Sequence, residues 1–149
     1  MNRLILLSFL LIAACGNKGG EETEPNMSFD DVSVNEGNAG ATNIEIRLKL
    51  SKATSKQVSV KYTTVEGTAK AATDFTAVAA QSVTFQPNET EKVIVITVVA
   101  DDIKENDESF QVKVDNPSNV FLTKGTATVT LKNDDTKIPF NNTGYDVPT

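Results

Sequence analysis

Alternation of apolar and polar residues is the dominant pattern between residues 32 and 131. In 44–50 every second residue is Ile or Leu and those between are charged, and 58–62 repeats the pattern with Val and Tyr. A period of two predicts a strand with one buried face. Similar short patterns occur at 32–34, 83–85, 94–98, 110–114 and 127–131. The sequence therefore predicts seven strands.

The segment 93–100 is apolar at nearly every position, which predicts a strand whose second face is also partly covered, in the centre of a sheet. Turn residues separate the strands, as in Gln86-Pro87-Asn88, where Asn tolerates left-handed backbone geometry. No amphipathic helix pattern is present. We expect an all-β fold, a seven-stranded antiparallel immunoglobulin-like sandwich.

Acidic residues are concentrated after the fifth predicted strand. The segment 101–110 contains five carboxylates, and such groups a few Å apart repel one another by about 1 kcal/mol per pair in water. A bound Ca²⁺, which takes six to eight oxygen ligands, would relieve that repulsion. The chain has no His to offer nitrogen instead. The alternative is a solvated acidic loop that binds nothing.

Strand order favours the metal. If consecutive strands run in opposite directions, the loops after the first, third, fifth and seventh strands lie at the same end of the sandwich. Those loops carry nine of the twenty acidic residues, whereas the loops at the other end contain Lys52, Lys56 and Lys124 against Glu89 alone. Scattered solvating acids would not sort in this way.

Several segments, in order, resemble the motifs of a Calx-β domain: 34–38 (Val-Asn-Glu-Gly-Asn), 62–69 (Tyr-Thr-Thr-Val-Glu-Gly-Thr-Ala), Asp74-Phe75, 85–87 (Phe-Gln-Pro), 101–110 and 133–135 (Asn-Asp-Asp). The resemblance implies a seven-stranded sandwich that binds calcium at its distal loops. It also implies that the chain's cofactor is Ca²⁺. Asn133 stands where the richest calcium-binding members have a third aspartate, and Phe75 replaces the usual tyrosine.

The resemblance also gives a set of candidate calcium ligands. They are Glu36, Asp74, Asp101, Asp102, Glu105, Glu108, Asp134 and Asp135. We expect Asp107 to point outward or to support these ligands.

The amino terminus has a different character. Arg3 precedes an apolar run that is too short to span a bilayer, and the run ends in Ala13-Ala14-Cys15, which resembles the lipobox of bacterial lipoproteins. That resemblance implies cleavage before Cys15 and acylation of this residue, the chain's only cysteine. We expect a location in the bacterial cell envelope, attached by lipid to the outer membrane, with exposure at the cell surface as a further expectation.

The predicted organisation is a signal peptide (1–14), a flexible lipidated tether (15–26), a Calx-β domain (27–136) and a C-terminal tail or linker (137–149). We expect a membrane-anchored calcium-binding module with an adhesion, spacer or scaffold role and a surface protein or polysaccharide partner. The alternative is the accessory front domain of a larger secreted enzyme, such as one that degrades polysaccharides. The chain itself is not expected to be an enzyme, and its net charge of −6 disfavours nucleic acid as a partner.

Overall fold

A computed structural model describes residues 22–138. The predicted signal peptide, Cys15 and residues 139–149 of the predicted tail lie outside this range. Nine strands form: β1 Asn26–Ser28, β2 Val32–Asn35, β3 Gly40–Leu50, β4 Val58–Val65, β5 Gln81–Phe85, β6 Glu91–Ala100, β7 Glu108–Ser118, β8 Phe121–Leu122 and β9 Thr126–Lys132. Within residues 22–138, no helix is long and apolar enough to cross a membrane.

The strands form two sheets. One has four strands in the order β6-β3-β1-β8, and the other has five in the order β2-β9-β7-β4-β5. Most neighbours are antiparallel, while β1 with β8 and β2 with β9 pair in parallel. The two inner faces enclose a core in which Ile46, Val98 and Val129 are at most 1% exposed. This confirms the all-β sandwich.

The additional strands β1 and β8 have only three and two residues, too few for alternation to reveal them. They are held by pairing: β1 lies beside the end of β3, and Phe121 in β8 donates its N–H to the carbonyl of Pro25 at 3.0 Å. Met27 in β1 is fully buried. The domain therefore has nine strands rather than the predicted seven.

The prediction of a central position for the apolar segment 93–100 is wrong, because β6 is an edge strand. Val93 and Val95 are 40% and 47% exposed on its outer face. Part of its free edge is covered by a loop: Thr76 donates its N–H to the carbonyl of Thr97 at 2.8 Å, and Val99 donates to the carbonyl of Asp74 at 2.9 Å. The second face of β6 is therefore covered only in part, at the half-buried Thr97 and Val99.

The turn residues adopt the geometry expected of them. Asn88 has φ of 69°, in the left-handed region that Asn tolerates. Ala80 also has a positive φ, of 33°. These residues turn the chain into β5 and β6 without glycine.

Candidate metal centre

Four loops meet at one end of the sandwich, which we call the acidic pole: 36–39, 66–80, 101–107 and 133–137. Glu36 donates its N–H to the carbonyl of Lys132 at 3.0 Å, and Gly37 donates to Asp134 Oδ1 at 3.0 Å. The hydrogen bond between Val99 and Asp74 fixes the loop before β5 against the end of β6. The structure thus brings together the four segments that strand direction assigns to one end.

Two acidic residues at this pole are buried. Glu36 and Asp135 are each 7% exposed. Asn38 donates its side-chain amide to Asp135 Oδ1, but Asp135 Oδ2 is buried without a hydrogen-bond partner among the described residues. A buried carboxylate oxygen without a partner is costly, since it has lost its water and gained nothing in exchange. This oxygen is therefore available to a cation.

Glu36 shows how strongly the acids at this pole affect one another. Burial raises the pKa of its carboxyl group, and the charges of Asp101, Glu105, Asp74 and Asp135 raise it further, to about 7. A carboxyl group with so high a pKa is partly protonated at neutral pH. The five residues therefore share one electrostatic environment although they come from four loops.

Two further carboxyl groups respond in the same direction. Burial raises the pKa of Glu105, with added repulsion from Asp101 and Asp74. The pKa of Glu108 is raised by burial, by a hydrogen bond with Asp74 and by the charges of Asp74 and Glu105. Lys70 acts on Glu108 in the opposite direction but more weakly than these causes. The excess of negative charge thus extends across the whole cluster.

Backbone contacts orient Asp74 and Asp101. Lys70 donates its N–H to Asp74 Oδ2 at 2.6 Å, and Ile103 donates its N–H to Asp101 Oδ1 at 2.8 Å. The bond within Asp101–Ile103 spans two residues, as in an Asx turn. These contacts fix the position of each carboxylate before any ion arrives, which lowers the entropy cost of binding.

A pair of stacked rings lies beneath the cluster. Phe75 and Phe110 have ring centroids 4.1 Å apart at an interplanar angle of 13°, and both are buried. Phe75 follows Asp74 in the chain, and Glu108 lies two residues before Phe110. The packed rings therefore hold the backbone that carries these two carboxylates.

Gly67 allows the loop after β4 to approach β7 at this point. A Cβ atom on Gly67 would lie 2.4 Å from the carbonyl oxygen of Ser109, which is backbone and cannot rotate away. Ala69 donates its N–H to the same carbonyl at 3.0 Å. Only glycine fits this contact, which connects the loop of Asp74 to the strand of Glu108.

Three of the predicted acidic residues have other partners. Asp102 forms an ion pair with Lys137 Nζ at 2.7 Å, where both side chains are more than half exposed. Asp134 accepts the hydrogen bond from Gly37 through Oδ1. Asp107 Oδ1 accepts the N–H of Asn133 at 3.2 Å, a contact that joins the loops 101–107 and 133–137.

The sequence reasoning did not single out Asn38, Gly67 and Lys137 as residues of this site. Asn38 and Gly67 lie inside the family motifs, so their position was a usable signal. Lys137 was assigned to the tail, yet its backbone pairs with Ile103 and its side chain with Asp102. A contact between residues 35 positions apart leaves no trace in the local sequence.

The donor set fits calcium, although the side chains are not gathered around one point. Within residues 22–138, no group of three or more Asp, Glu, His or Cys side chains is arranged closely enough to hold a metal ion. The donors are oxygens on four separate loops, one of them buried without a partner, and Ca²⁺ accepts oxygen ligands in variable geometry.

The fold and the site together define a class of protein. It is a β-sandwich whose loops place acidic residues together at one end. The Calx-beta domain family model matches residues 21–135. The chain belongs to the Calx-beta family of calcium-binding domains. No curated protein sequence matches it.

Comparison with solved structures supports the same family assignment. The chain is similar to the apo form of the Calx CBD1 domain, with 33% identity over 75% of this chain and 99% of that one, at a TM-score of 0.66. It is also similar to the calcium-binding domain CBD12 of CALX1.1, with 34% identity and a TM-score of 0.65, over 74% of this chain and 46% of that one. The Calx CBD2 domain shares the fold at 18% identity, over 76% of this chain and 91% of that one, with a TM-score of 0.65.

Proposed function

We propose that this protein binds Ca²⁺ at the acidic pole and works as a calcium-stabilised module anchored to a bacterial envelope membrane through a lipid on Cys15. The observation that carries the calcium proposal is the buried, unpartnered Oδ2 of Asp135 beside a Glu36 whose pKa is raised to about 7 by burial and by surrounding acids. A divalent cation would attract each of these carboxylates, and these attractions would outweigh the repulsion among them.

The residues assigned to the ion are those that act on one another electrostatically. Glu36, Asp74, Asp101, Glu105, Glu108 and Asp135 form this set. Asp134 supports it through Gly37, and Asp102 has a lesser part because it is paired with Lys137. When bound, Ca²⁺ would supply positive charge that holds four loops together, and no catalytic chemistry is assigned to it.

The module would act as a stiff spacer, scaffold or adhesion contact at the outer membrane, with exposure at the cell surface. Its partner would be a surface protein or polysaccharide. Support comes from the lipobox-like end in Cys15, from the family of calcium-binding domains, and from the acidic loops that a cation would rigidify. Extracellular calcium modules commonly have Kd values of about 10⁻⁴–10⁻³ M, and we expect an affinity in this range.

Calorimetric titration of calcium into residues 15–149 after chelator treatment tests the calcium proposal, with magnesium as the control ion. We expect calcium-selective binding and a higher melting temperature. Asp135→Asn should weaken both, whereas Asp30→Asn, which removes the same charge from an exposed position before β2, should leave them unchanged. Absence of binding at millimolar calcium would contradict the proposal.

A further inference from the structure

The chain enters the domain at a fixed place, opposite the acidic pole. Ser55 donates its N–H to Glu22 Oε1 at 3.1 Å and its hydroxyl to Glu22 Oε2 at 2.7 Å, and Thr54 donates its hydroxyl to Oε2 at 3.2 Å. Thr54 is only 4% exposed, so this anchor point belongs to the domain proper. We call this end, formed by 22–26, 30–31, 51–57, 86–90 and 116–125, the N-terminal pole.

The residues after Glu22 are also bound to this pole. Asn26 donates its N–H to Ser51 Oγ at 2.9 Å and accepts the N–H of Ser51 at 2.8 Å. Pro25 is buried and accepts the N–H of Phe121. The last residues of the predicted tether 15–26 are therefore part of the domain, and 15–21 lie outside the described residues.

Chain length then limits the distance between the pole and a lipid anchor. Seven residue steps separate Cys15 from Glu22, and a fully extended chain covers at most about 25 Å over that number. The eleven residues of β3, which runs from one pole to the other, span about 37 Å. A lipid on Cys15 would thus hold the N-terminal pole near the bilayer, whereas the acidic pole can extend away.

The N-terminal pole also carries an exposed aromatic residue. Phe121 in the edge strand β8 is 61% exposed, directly beside Asn26, where the chain enters. Lys52 and Lys56 lie in the adjoining loop 51–57. Glu22 and Glu24 balance these two lysines, so the exposed aromatic ring, and not net positive charge, is the feature that suits the boundary between lipid headgroups and acyl chains.

We propose that the N-terminal pole rests on the lipid bilayer with Phe121 inserted among the headgroups, so that the acidic pole faces away from the membrane. The proposal rests on the lipidation of Cys15 in the proposed function. The orientation presents the calcium-binding loops to the surroundings of the cell, and the chain after Lys137 leaves from the distal end.

Fluorescence quenching on the lipidated full chain tests the orientation. Cys15 is the only native cysteine, so a dye attached to a new cysteine reports one position once Cys15 is acylated. Gln57→Cys places the dye at the N-terminal pole and Asn106→Cys at the acidic pole, both at exposed side chains. In phosphatidylethanolamine–phosphatidylglycerol vesicles with a headgroup nitroxide, we expect several-fold stronger quenching at position 57.

Phe121→Ser should reduce quenching at position 57, while Val95→Ser, which removes a comparably exposed apolar side chain from β6, should not. Equal or reversed quenching of the two dyes on acylated, vesicle-bound protein would overturn the orientation and leave the anchoring intact. Mass spectrometry of the amino-terminal peptide shows whether Cys15 is acylated, and so distinguishes a failure of the orientation from a failure of the anchoring. An unacylated Cys15 would overturn the anchoring and the orientation together.

Discussion

At the two ends of the sandwich, the pKa values of carboxyl groups are shifted in opposite directions. At the N-terminal pole, hydrogen bonds from Ser55 lower the pKa of Glu22, and a hydrogen bond from Lys124 lowers that of Asp31. Lys92 does the same for Glu89. At the acidic pole, burial and neighbouring acids raise the pKa values of the three glutamates Glu36, Glu105 and Glu108.

This contrast separates a satisfied surface from a binding site. Each of these three acids has a hydroxyl, an ammonium or a backbone N–H that stabilises its charged form, so it needs no ion. The acidic pole concentrates charge that protein donors do not neutralise, and it leaves a buried oxygen of Asp135 unpaired. The charge count already differs between the two ends, and the partners of each carboxylate show why only the acidic pole calls for an ion.

The largest effect that we expect is a loss of calcium-dependent stability on replacing Asp101 but not on replacing its neighbour Asp102. Asp101→Asn should remove most of the calcium-dependent rise in stability, because Asp101 acts directly on Glu36 and Glu105. Calcium at one hundred times its Kd contributes about 2.7 kcal/mol by mass action. Asp102→Asn should keep most of this gain, since Asp102 is paired with Lys137. Melting curves with calcium and with chelator measure both variants.

A calcium response that disappears equally in the two variants would contradict this division of roles. A response that survives in both would contradict the assignment of this loop to calcium. Replacing both residues together should resemble Asp101→Asn alone, which provides an internal check.

Gly67→Ala tests whether the shape of the acidic pole depends on the contact between two loops. The added methyl group would meet the Ser109 carbonyl at 2.4 Å, and relief of such overpacking costs about 1–3 kcal/mol. Because the backbone next to Glu108 must move, calcium affinity should fall along with stability. Gly125→Ala is the control, since its nearest neighbour would be 3.7 Å away. Loss of stability with unchanged calcium affinity would show that the contact between Gly67 and Ser109 does not shape the calcium site.

The pH dependence of stability should differ between the poles. The folded protein binds more protons at Glu36 than the unfolded chain does between pH 4.5 and about 7. The stability of the calcium-free protein should therefore decrease as pH rises through this window, by at most about 3 kcal/mol. The lowered pKa values of Glu22, Asp31 and Glu89 act below this window, where stability falls as pH decreases.

Denaturation in urea at pH 5, 6, 7 and 8 with chelator present measures the decrease. Glu36→Gln should flatten the curve between pH 5 and 7, because its amide does not titrate. A curve that keeps its slope in this variant would show that the pH dependence arises elsewhere.

The sequence predicted this contrast in part. Alternation located seven strands, and strand direction placed the four acidic segments together. It could not reveal β1 and β8, which depend on pairing with distant residues, nor the partner of Asp102, which lies 35 positions away. The apolar segment of β6 suggested a central strand because composition does not show that a loop at Asp74 and Thr76 covers part of a sheet edge.

The smallest effect we expect concerns the N-terminal pole. Glu22→Gln weakens the charge-assisted hydrogen bonds from Ser55 and Thr54, so the melting temperature should fall slightly. The decrease should be the same with and without calcium, because the residue lies at the opposite end from the acidic loops. Glu24→Gln is the matched control, an exposed glutamate with no side-chain hydrogen bond among the described residues. A calcium-dependent decrease for Glu22→Gln would mean that the two poles are coupled through the sandwich. The two poles could then not be treated as independent, one with its carboxylates already satisfied and the other binding an ion.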